Sequence, residues 1–160
     1  MAVDMFLNLD GVKGESKDST HKDTIDVLAW SFGASNSGTA HLGGGAGAGK
    51  AAFQDISVTK YIDKSSPDLM LSCANGKHYT KAVLTCRKAG EKPLEYLIIT
   101  MEDVMITSVS TGGSGGEDRL TENLSINFAK FKLDYKEQTK TGAVGATPTM
   151  GWNIAENVKV

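Results

Sequence analysis

Apolar residues recur at every second position along most of this 160-residue chain, and this period limits the fold more than any other feature of the sequence. In one clear case Leu124, Ile126 and Phe128 alternate with polar side chains. A period of two is typical of a β-strand that buries one face, so the sequence predicts a mainly β protein. The predicted strands are residues 5–9, 25–33, 53–62, 82–87, 94–110 and 124–135, followed by a final docked strand from residues 151–154 and 158–160.

Two of the predicted strands change phase partway along. The alternation in residues 94–110 is interrupted at Glu102 and Asp103, and the alternation in residues 124–135 slips by one residue after Phe128. A slip of this kind is typical of a β-bulge or bend. Because bent neighbouring strands favour a sheet that curls and closes, we expect a single β-barrel.

One short helix is predicted at residues 66–75. Ser65 or Ser66 can cap its start, and Pro67 suits the first helical turn because it has no N–H to satisfy. Gly76 is a typical residue for the turn that ends a helix. The side predicted to face the sheet carries Leu69, Met70 and Cys73.

Length and charge restrict the class of protein. A chain of this size forms one ordinary domain, which we take as residues 1–160. With 17 basic and 19 acidic residues the formal net charge is −2, which argues against a dedicated nucleic-acid binder. No stretch reaches the roughly 18 apolar residues of a membrane span, and the first ten residues do not resemble a secretory signal. We therefore expect a protein that folds in the cytoplasm and does not insert into a membrane.

No catalytic residue, metal site or cofactor site is predicted, and we do not expect an enzyme. His21, His41 and His78 are isolated, without the spacing or flanking carboxylates of a metal site. The chain has no GxSxG nucleophile motif. Cys73 and Cys86 belong to no CxxC motif, which predicts two buried free thiols.

Residues 34–50 form the longest stretch without periodicity, and we interpret them as an extended loop. Loops beyond about 12–15 residues are usually functional or disordered. The part from Gly44 to Lys50 is similar to a Walker A phosphate loop, but Ala51 stands where that motif needs a hydroxyl. Residues 37–42, just before that part, do not have the pattern of a buried strand, and no helix is predicted after it. Nucleotide binding is therefore a minor alternative to a flexible loop.

The predicted strand at residues 25–33 is apolar on both faces, so both faces need to be covered. Leu28, Trp30 and Phe32 lie on one face. On the other face Val27, Ala29 and Ser31 are small, as residues are where another backbone packs closely. The helix or a second subunit can supply this cover, and the sequence favours neither. Open edge strands also allow a monomeric adaptor that binds a peptide at a sheet edge.

Several long segments, in order along essentially the whole chain, resemble the Hcp family, the hemolysin-coregulated proteins of bacterial type VI secretion. They are residues 4–6, 11–16, His21, residues 25–31, 59–67, 76–79, 107–113 and 117–122, and the ending Gly151-Trp152-Asn153-Ile154.

The resemblance implies a single-domain β-barrel of two packed antiparallel sheets with one short helix on its side, assembling into a hexameric ring. Stacked rings would form the inner tube of a contractile injection machine, surrounded by sheath and baseplate proteins and tipped by the VgrG spike. The tube would carry effector cargo, wait in the cytoplasm before firing, and be secreted without a signal peptide.

The resemblance also suggests roles for particular residues. Val27, Ala29 and Ser31 become candidates for a subunit interface or the ring lumen. Candidates for ring stacking come from the long loop. They are His41, Gly44, Gly47 and Lys50.

Overall fold

Eleven strands and one helix make up the regular structure of residues 2–38, 41 and 49–160, which are the residues that the computed structural model describes. The strands are β1 (Val3–Leu9), β2 (Ile25–Asp26), β3 (Ala29–Ser31), β4 (Ala34–Ser35), β5 (Ala52–Phe53), β6 (Ile56–Tyr61), β7 (His78–Lys88), β8 (Leu94–Thr111), β9 (Thr121–Tyr135), β10 (Thr149–Asn153) and β11 (Val158–Lys159). The helix α1 spans Ser66–Asn75 between β6 and β7.

Nine of the strands form one antiparallel sheet that runs β11-β10-β9-β8-β7-β1-β2. Strand β9 is shared between two layers, because its other edge pairs with β6 through its first half and with β10 through its second half. Strand β3 adds to the free side of β6. The remaining two strands, β4 and β5, form a small separate ribbon.

Two consecutive residues close this sheet into a barrel. The Val27 N–H donates to the Met5 carbonyl at 2.9 Å, which joins the chain to β1. The Leu28 N–H donates to the Thr59 carbonyl at 2.8 Å, which joins it to β6. The chain thus passes within one residue from β1 to β6, two strands that the sheet otherwise connects through β7, β8 and β9. The predicted β-barrel is confirmed in this form.

This crossing breaks the predicted strand at residues 25–33. Instead of one strand, β2 and β3 are separated at Val27 and Leu28, and the buried face changes there. Val27 is only 7% exposed and belongs to the core, while Leu28 is 40% exposed. The prediction that Leu28 shares a face with Trp30 is therefore wrong. The physical reason is that the chain changes its partner strand here, which rotates it between the Val27 and Leu28 hydrogen bonds.

The predicted phase changes in the two longest strands, β8 and β9, are present. In β8 the change of buried face and the β-bulge lie at different positions. Buried residues switch face between Met101 and Val104, although the β8–β9 register stays in step across this point. Asp103 takes up the change with a positive φ of 54°. The register shift itself lies between Ile106 and Ser108. The sequence thus predicted the change of face correctly and placed the bulge in β8 about four residues too early.

The core lies between the two layers and under α1. Its apolar side chains that are at most 1% exposed are Leu7, Leu9, Ile25, Ile56, Val58, Leu69, Ala82, Leu84, Ile99, Met101, Val104, Ile106, Leu124 and Ile126.

The helix has the predicted bounds and ends as predicted, with Gly76 in the left-handed region at φ 68°. Leu69 and Ser72 are buried, and Cys73 packs against the core. Met70 is 45% exposed, so the prediction that it faces the sheet is wrong. In a helix this short, packing against β8 rather than residue type decides which side is covered.

Candidate assembly surfaces

A patch of small uncharged side chains covers the outer side of the barrel around β3. We call it the serine face and define it as Ala29, Ser31, Ser57, Thr59, Ser108, Ser110, Asn123 and Ser125. These residues alternate with buried residues such as Val58 and Leu124, so they point away from the core.

The strand register aligns the serine face into rows. Ser31 pairs with Ser57, Ser57 with Ser125, and Ser125 with Ser108. The Ser108 hydroxyl bonds the Ser125 hydroxyl at 2.8 Å. In the next row Thr59 donates to the Asn123 side chain at 2.6 Å. Two pairs of polar side chains on this surface therefore bond each other across the strands, and none of its eight residues is charged.

Two of the three residues predicted for an interface or lumen lie on this face. Ala29 and Ser31 are exposed in β3, a strand that pairs only with β6 within the described part of the chain. Val27 does not join them, because its side chain packs in the core. The residues that β6, β8 and β9 add to this face were not predicted from the sequence. The signal that could have found them is the choice of small hydroxyl residues at the polar positions of each alternation.

Charged residues lie on the outward side of β7, β8 and β9, away from the serine face. Lys81 pairs with Glu102, and Glu102 pairs with Lys130. The Lys130 ammonium lies 3.3 Å from the Glu102 carboxylate, and both side chains are substantially exposed. The outer surface of the barrel is thus divided into a charged region and the uncharged serine face.

A second candidate surface is the arm, which we define as residues 34–53. Its base is the ribbon of β4 and β5, so the predicted loop at residues 34–50 begins with a strand. The Asn36 side chain donates to the Gly49 carbonyl at 2.7 Å and ties the two sides together. His41 and Lys50 are exposed. Gly44 and Gly47 lie outside the described residues.

An aromatic cluster lies at the root of the arm. Phe32 lies just before β4, and Phe53 lies in β5. Their rings contact aromatic rings of the barrel, namely those of Phe128, Phe131 and Trp152. The centroid separations run from 5.2 to 6.4 Å. These distances are typical of attractive aromatic pairs.

Exposed apolar side chains mark two further places on the barrel. On α1, Met70 and Leu71 are 45% and 61% exposed. At the C-terminal hairpin of β10 and β11, Met150 and Val158 are 40% and 44% exposed. Two different apolar patches on one subunit are what a head-to-tail contact between identical subunits requires.

The loop between β1 and β2 is held against the sheet by charged contacts. The Arg87 guanidinium, mostly buried, donates to Asp18 at 2.6 Å and to Asp4 at 3.1 Å. His21 stacks on Phe6 at 4.4 Å and its Nε2 lies 2.6 Å from the Glu95 carboxylate. The Arg87 hydrogen bonds hold the pKa of the Asp18 carboxyl far below its ordinary value. This loop is therefore a fixed part of the barrel surface.

The part of the chain that the structure describes has no cluster of three or more His, Cys, Asp or Glu residues with the geometry for a metal ion. Cys73 and Cys86 are both free, as predicted, although only Cys86 is fully buried. Burial raises the pKa of the Cys86 thiol. Within the same residues, no helix has the length and apolar character to cross a bilayer.

Comparison with known proteins identifies relatives along nearly the whole chain. Residues 6–135 match the family model described as the type VI secretion system effector Hcp. Protein hcp1 of Pseudomonas aeruginosa is 61% identical over 161 residues and covers 99% of both chains.

Solved structures agree with this match. The crystal structure of Hcp1 from Salmonella typhimurium has a TM-score of 0.84 and 38% identity over the full length of both chains. A structure described only as a type six secretion system protein has a TM-score of 0.94 and 30% identity, covering 99% of this chain and all of the other.

Proposed function

This chain belongs to the Hcp family of type VI secretion system effectors, and from that membership we propose that it is the repeating subunit of a secreted protein tube. In this proposal six copies close into a ring and rings stack into the tube. A sheath surrounds the tube and expels it, together with its VgrG spike, from the cytoplasm into a neighbouring cell or the medium. The protein then has a structural role and needs no cofactor.

The observation that carries the proposal is the serine face. A tube that carries unrelated proteins needs an inner wall without strong charges or large apolar side chains, because either would bind cargo too firmly to release it. Ser31, Ser57 and Ser125 form such a wall across three neighbouring strands. We therefore place the serine face on the lumen side of the ring, where effector cargo would pass.

The apolar patches support the ring itself. In a closed ring of identical subunits, each subunit presents two different surfaces, one to each neighbour. The exposed side chains of Met70 and Leu71 on α1 and those of Met150 and Val158 on the C-terminal hairpin provide two such surfaces. Burying them at subunit contacts would favour assembly through the hydrophobic effect.

The arm is our candidate for contact between stacked rings. His41 and Lys50 are exposed on it, and Gly44 and Gly47 lie between them in sequence. A segment of this length, tied to the barrel by a short ribbon, would contact a neighbouring ring while the barrel stays in its own.

Static light scattering tests the ring directly. A subunit of 17.0 kDa predicts a mass near 102 kDa, six times 17.0, that persists across protein and salt concentrations. A species that stays at 17 kDa at all concentrations would contradict assembly of the isolated chain. It would favour the alternative of a monomeric adaptor that binds a peptide at the free edge of β3, which titration with an extended peptide would then detect.

A further inference from the structure

The ribbon at the base of the arm is too short to hold its own direction. Strands β4 and β5 have two residues each, and they pair through Ala34 with Phe53 and through Ser35 with Ala52. The Gln54 N–H donates to the Gly33 carbonyl at 2.9 Å just below them. An isolated two-stranded ribbon is marginally stable in water. Contacts with the barrel must therefore set the angle at which the arm leaves it.

Those contacts are aromatic, with one ring on each side of the ribbon. Phe32, just before β4, packs edge-on against Phe131 at 5.2 Å and against Phe128 at 5.7 Å. Phe53, in β5, packs edge-on against Phe131 at 5.2 Å. Phe131 is 3% exposed and belongs to β9, so the rings of Phe32 and Phe53 pack against a side chain that is fixed in the barrel.

Phe53 has a second support, which comes from another part of the chain. The Trp152 indole lies 6.4 Å from the Phe53 ring, at an interplanar angle of 37°. Trp152 belongs to β10 and pairs with Phe131 across the β9–β10 ladder. Its strand forms the C-terminal hairpin, because Trp152 also pairs with Lys159 of β11. The C-terminal hairpin thus contacts the ribbon through this ring pair.

We propose that Trp152 is a positioning residue for the arm. Through Phe53 it fixes the direction in which the ribbon leaves the barrel, so the ribbon and the C-terminal hairpin behave as one rigid element. This inference rests on the proposed stacking of rings, because the consequence of a fixed arm is that rings join into tubes. Trp152 does not itself need to contact the neighbouring ring.

The test compares Trp152→Ala, Trp152→Phe and a deletion of residues 40–50 in the full assembly. We measure ring mass by light scattering, tube length by negative-stain electron microscopy, and amide hydrogen exchange at residues 34–38 and 49–54. Trp152→Ala should keep rings, speed exchange in those two segments by tenfold or more, and shorten or abolish tubes. Trp152→Phe should restore both readouts, because it returns a ring to the same place. Tyr135→Ala, a half-exposed ring on β9 outside the cluster, serves as the matched control and should change neither.

The outcomes separate this inference from the proposed function. Exchange and tube length at wild-type levels in Trp152→Ala would overturn the positioning role. If the deletion leaves tubes intact, the proposed stacking role of the arm fails, while the exchange measurement still decides whether Trp152 holds the ribbon. If Trp152→Ala fails to form rings, Phe53→Leu takes its place. Intact rings with unchanged exchange in that variant would also overturn the inference.

Discussion

Lys60 and Glu122 form an ion pair in which neither side chain has any exposed surface. Lys60 lies in β6 and Glu122 in β9, and the Lys60 ammonium also bonds Asp63 at 3.1 Å and the Ser66 hydroxyl at 3.3 Å. Ser66 in turn donates to Glu122 at 2.6 Å. The pair therefore fastens the first turn of α1 to two strands of the barrel. Nothing in the local sequence of either residue indicates this role.

The losses of stability from removing the two partners of this pair should not be additive. Glu122→Gln leaves the buried Lys60 ammonium with the Asp63 carboxylate but without Glu122, and we expect a loss of about 3 kcal/mol in the free energy of unfolding, at the lower end for a broken buried ion pair. The double variant Lys60→Met with Glu122→Gln should lose less than the sum of the single losses. Urea denaturation at one fixed protein concentration measures all three, since assembly shifts apparent stability.

The matched control is the surface pair Lys132 and Asp134, whose side chains are 59% and 22% exposed and whose charged atoms lie 3.7 Å apart. Lys132→Gln should cost less than about 1 kcal/mol. Strictly additive losses in the Lys60 and Glu122 double variant would show that the two residues do not act as a pair.

The contact between Asp18 and Arg87 should make the barrel sensitive to acid. Hydrogen bonds from Arg87 lower the pKa of Asp18 below its ordinary value of 3.8. A carboxyl with a lowered pKa in the folded state stabilises the protein above its unfolded pKa, and that stabilisation is lost as pH falls through the folded pKa. Wild-type unfolding temperature should therefore fall steeply below about pH 4. Asp18→Asn should be less stable at pH 7 and show a shallower fall; an unchanged acid slope in that variant would refute the assignment.

The Asp26 carboxyl should change the pH dependence of stability in the opposite direction to Asp18. Partial burial raises the pKa of its carboxyl, with the hydrogen bond involving Ser16 acting against the rise. A raised carboxyl pKa means that the protonated form fits the fold better, so the stabilisation is present at low pH and is lost as pH rises through the folded pKa. Asp26→Asn should therefore raise the unfolding temperature at pH 7 and change it little at pH 3. Calorimetry at these two pH values checks this, and a loss of stability at pH 7 would contradict it.

Asp103 occupies a left-handed conformation in the middle of β8, with φ at 54°. Left-handed backbone costs most residues roughly 1–2 kcal/mol, and glycine escapes this cost. Asp103→Ala should therefore lose about 1 kcal/mol, whereas Asp103→Gly should be at least as stable as the wild type. The exposed contact with His78 at 3.1 Å adds little to either result. Equal unfolding temperatures for the two variants would show that the backbone at this position is unstrained.

The serine face predicts which substitutions disturb cargo. Ser31→Gln and Ser57→Gln each place a longer side chain on the same face, and both should reduce effector retention while the ring mass stays unchanged. Co-purification of an effector with the ring measures retention. Lys92→Gln, on the exposed turn before β8, is the control and should retain cargo normally. If Ser57→Gln retains cargo as well as the control does, Ser57 does not face the lumen.

Features that depend on neighbouring residues were predictable. The bounds of α1 follow from Pro67 at its start and Gly76 at its end, because both residues act through their own backbone. The alternation at the start of β9 likewise predicts that Leu124, Ile126 and Phe128 are buried, since a strand has only two faces. In β7 it predicts less, because the four residues 84–87 are all buried. The error at Met70 has the complementary cause. A short helix offers several faces, and only the sheet beneath it selects one.

Features that depend on strand partners were not predictable. The predicted strand at residues 25–33 is interrupted at Val27 and Leu28 because the chain changes its partner there from β1 to β6. Neither partner strand is next to these residues in the sequence. The serine face has the same origin. Ser31, Ser57 and Ser108 are ordinary polar residues in their own strands, and the register of three pairings brings them into one row.

The sequence by itself determined the mainly β fold, the position of the helix and the family. Strand alternation, helix caps and family motifs each depend on residues that lie close together in the chain. The tertiary structure decided how the barrel closes, which small residues share a face, and how Trp152 reaches the arm. Each of these depends on pairing between strands far apart in the chain, where a shift of one residue would turn every side chain to the opposite face.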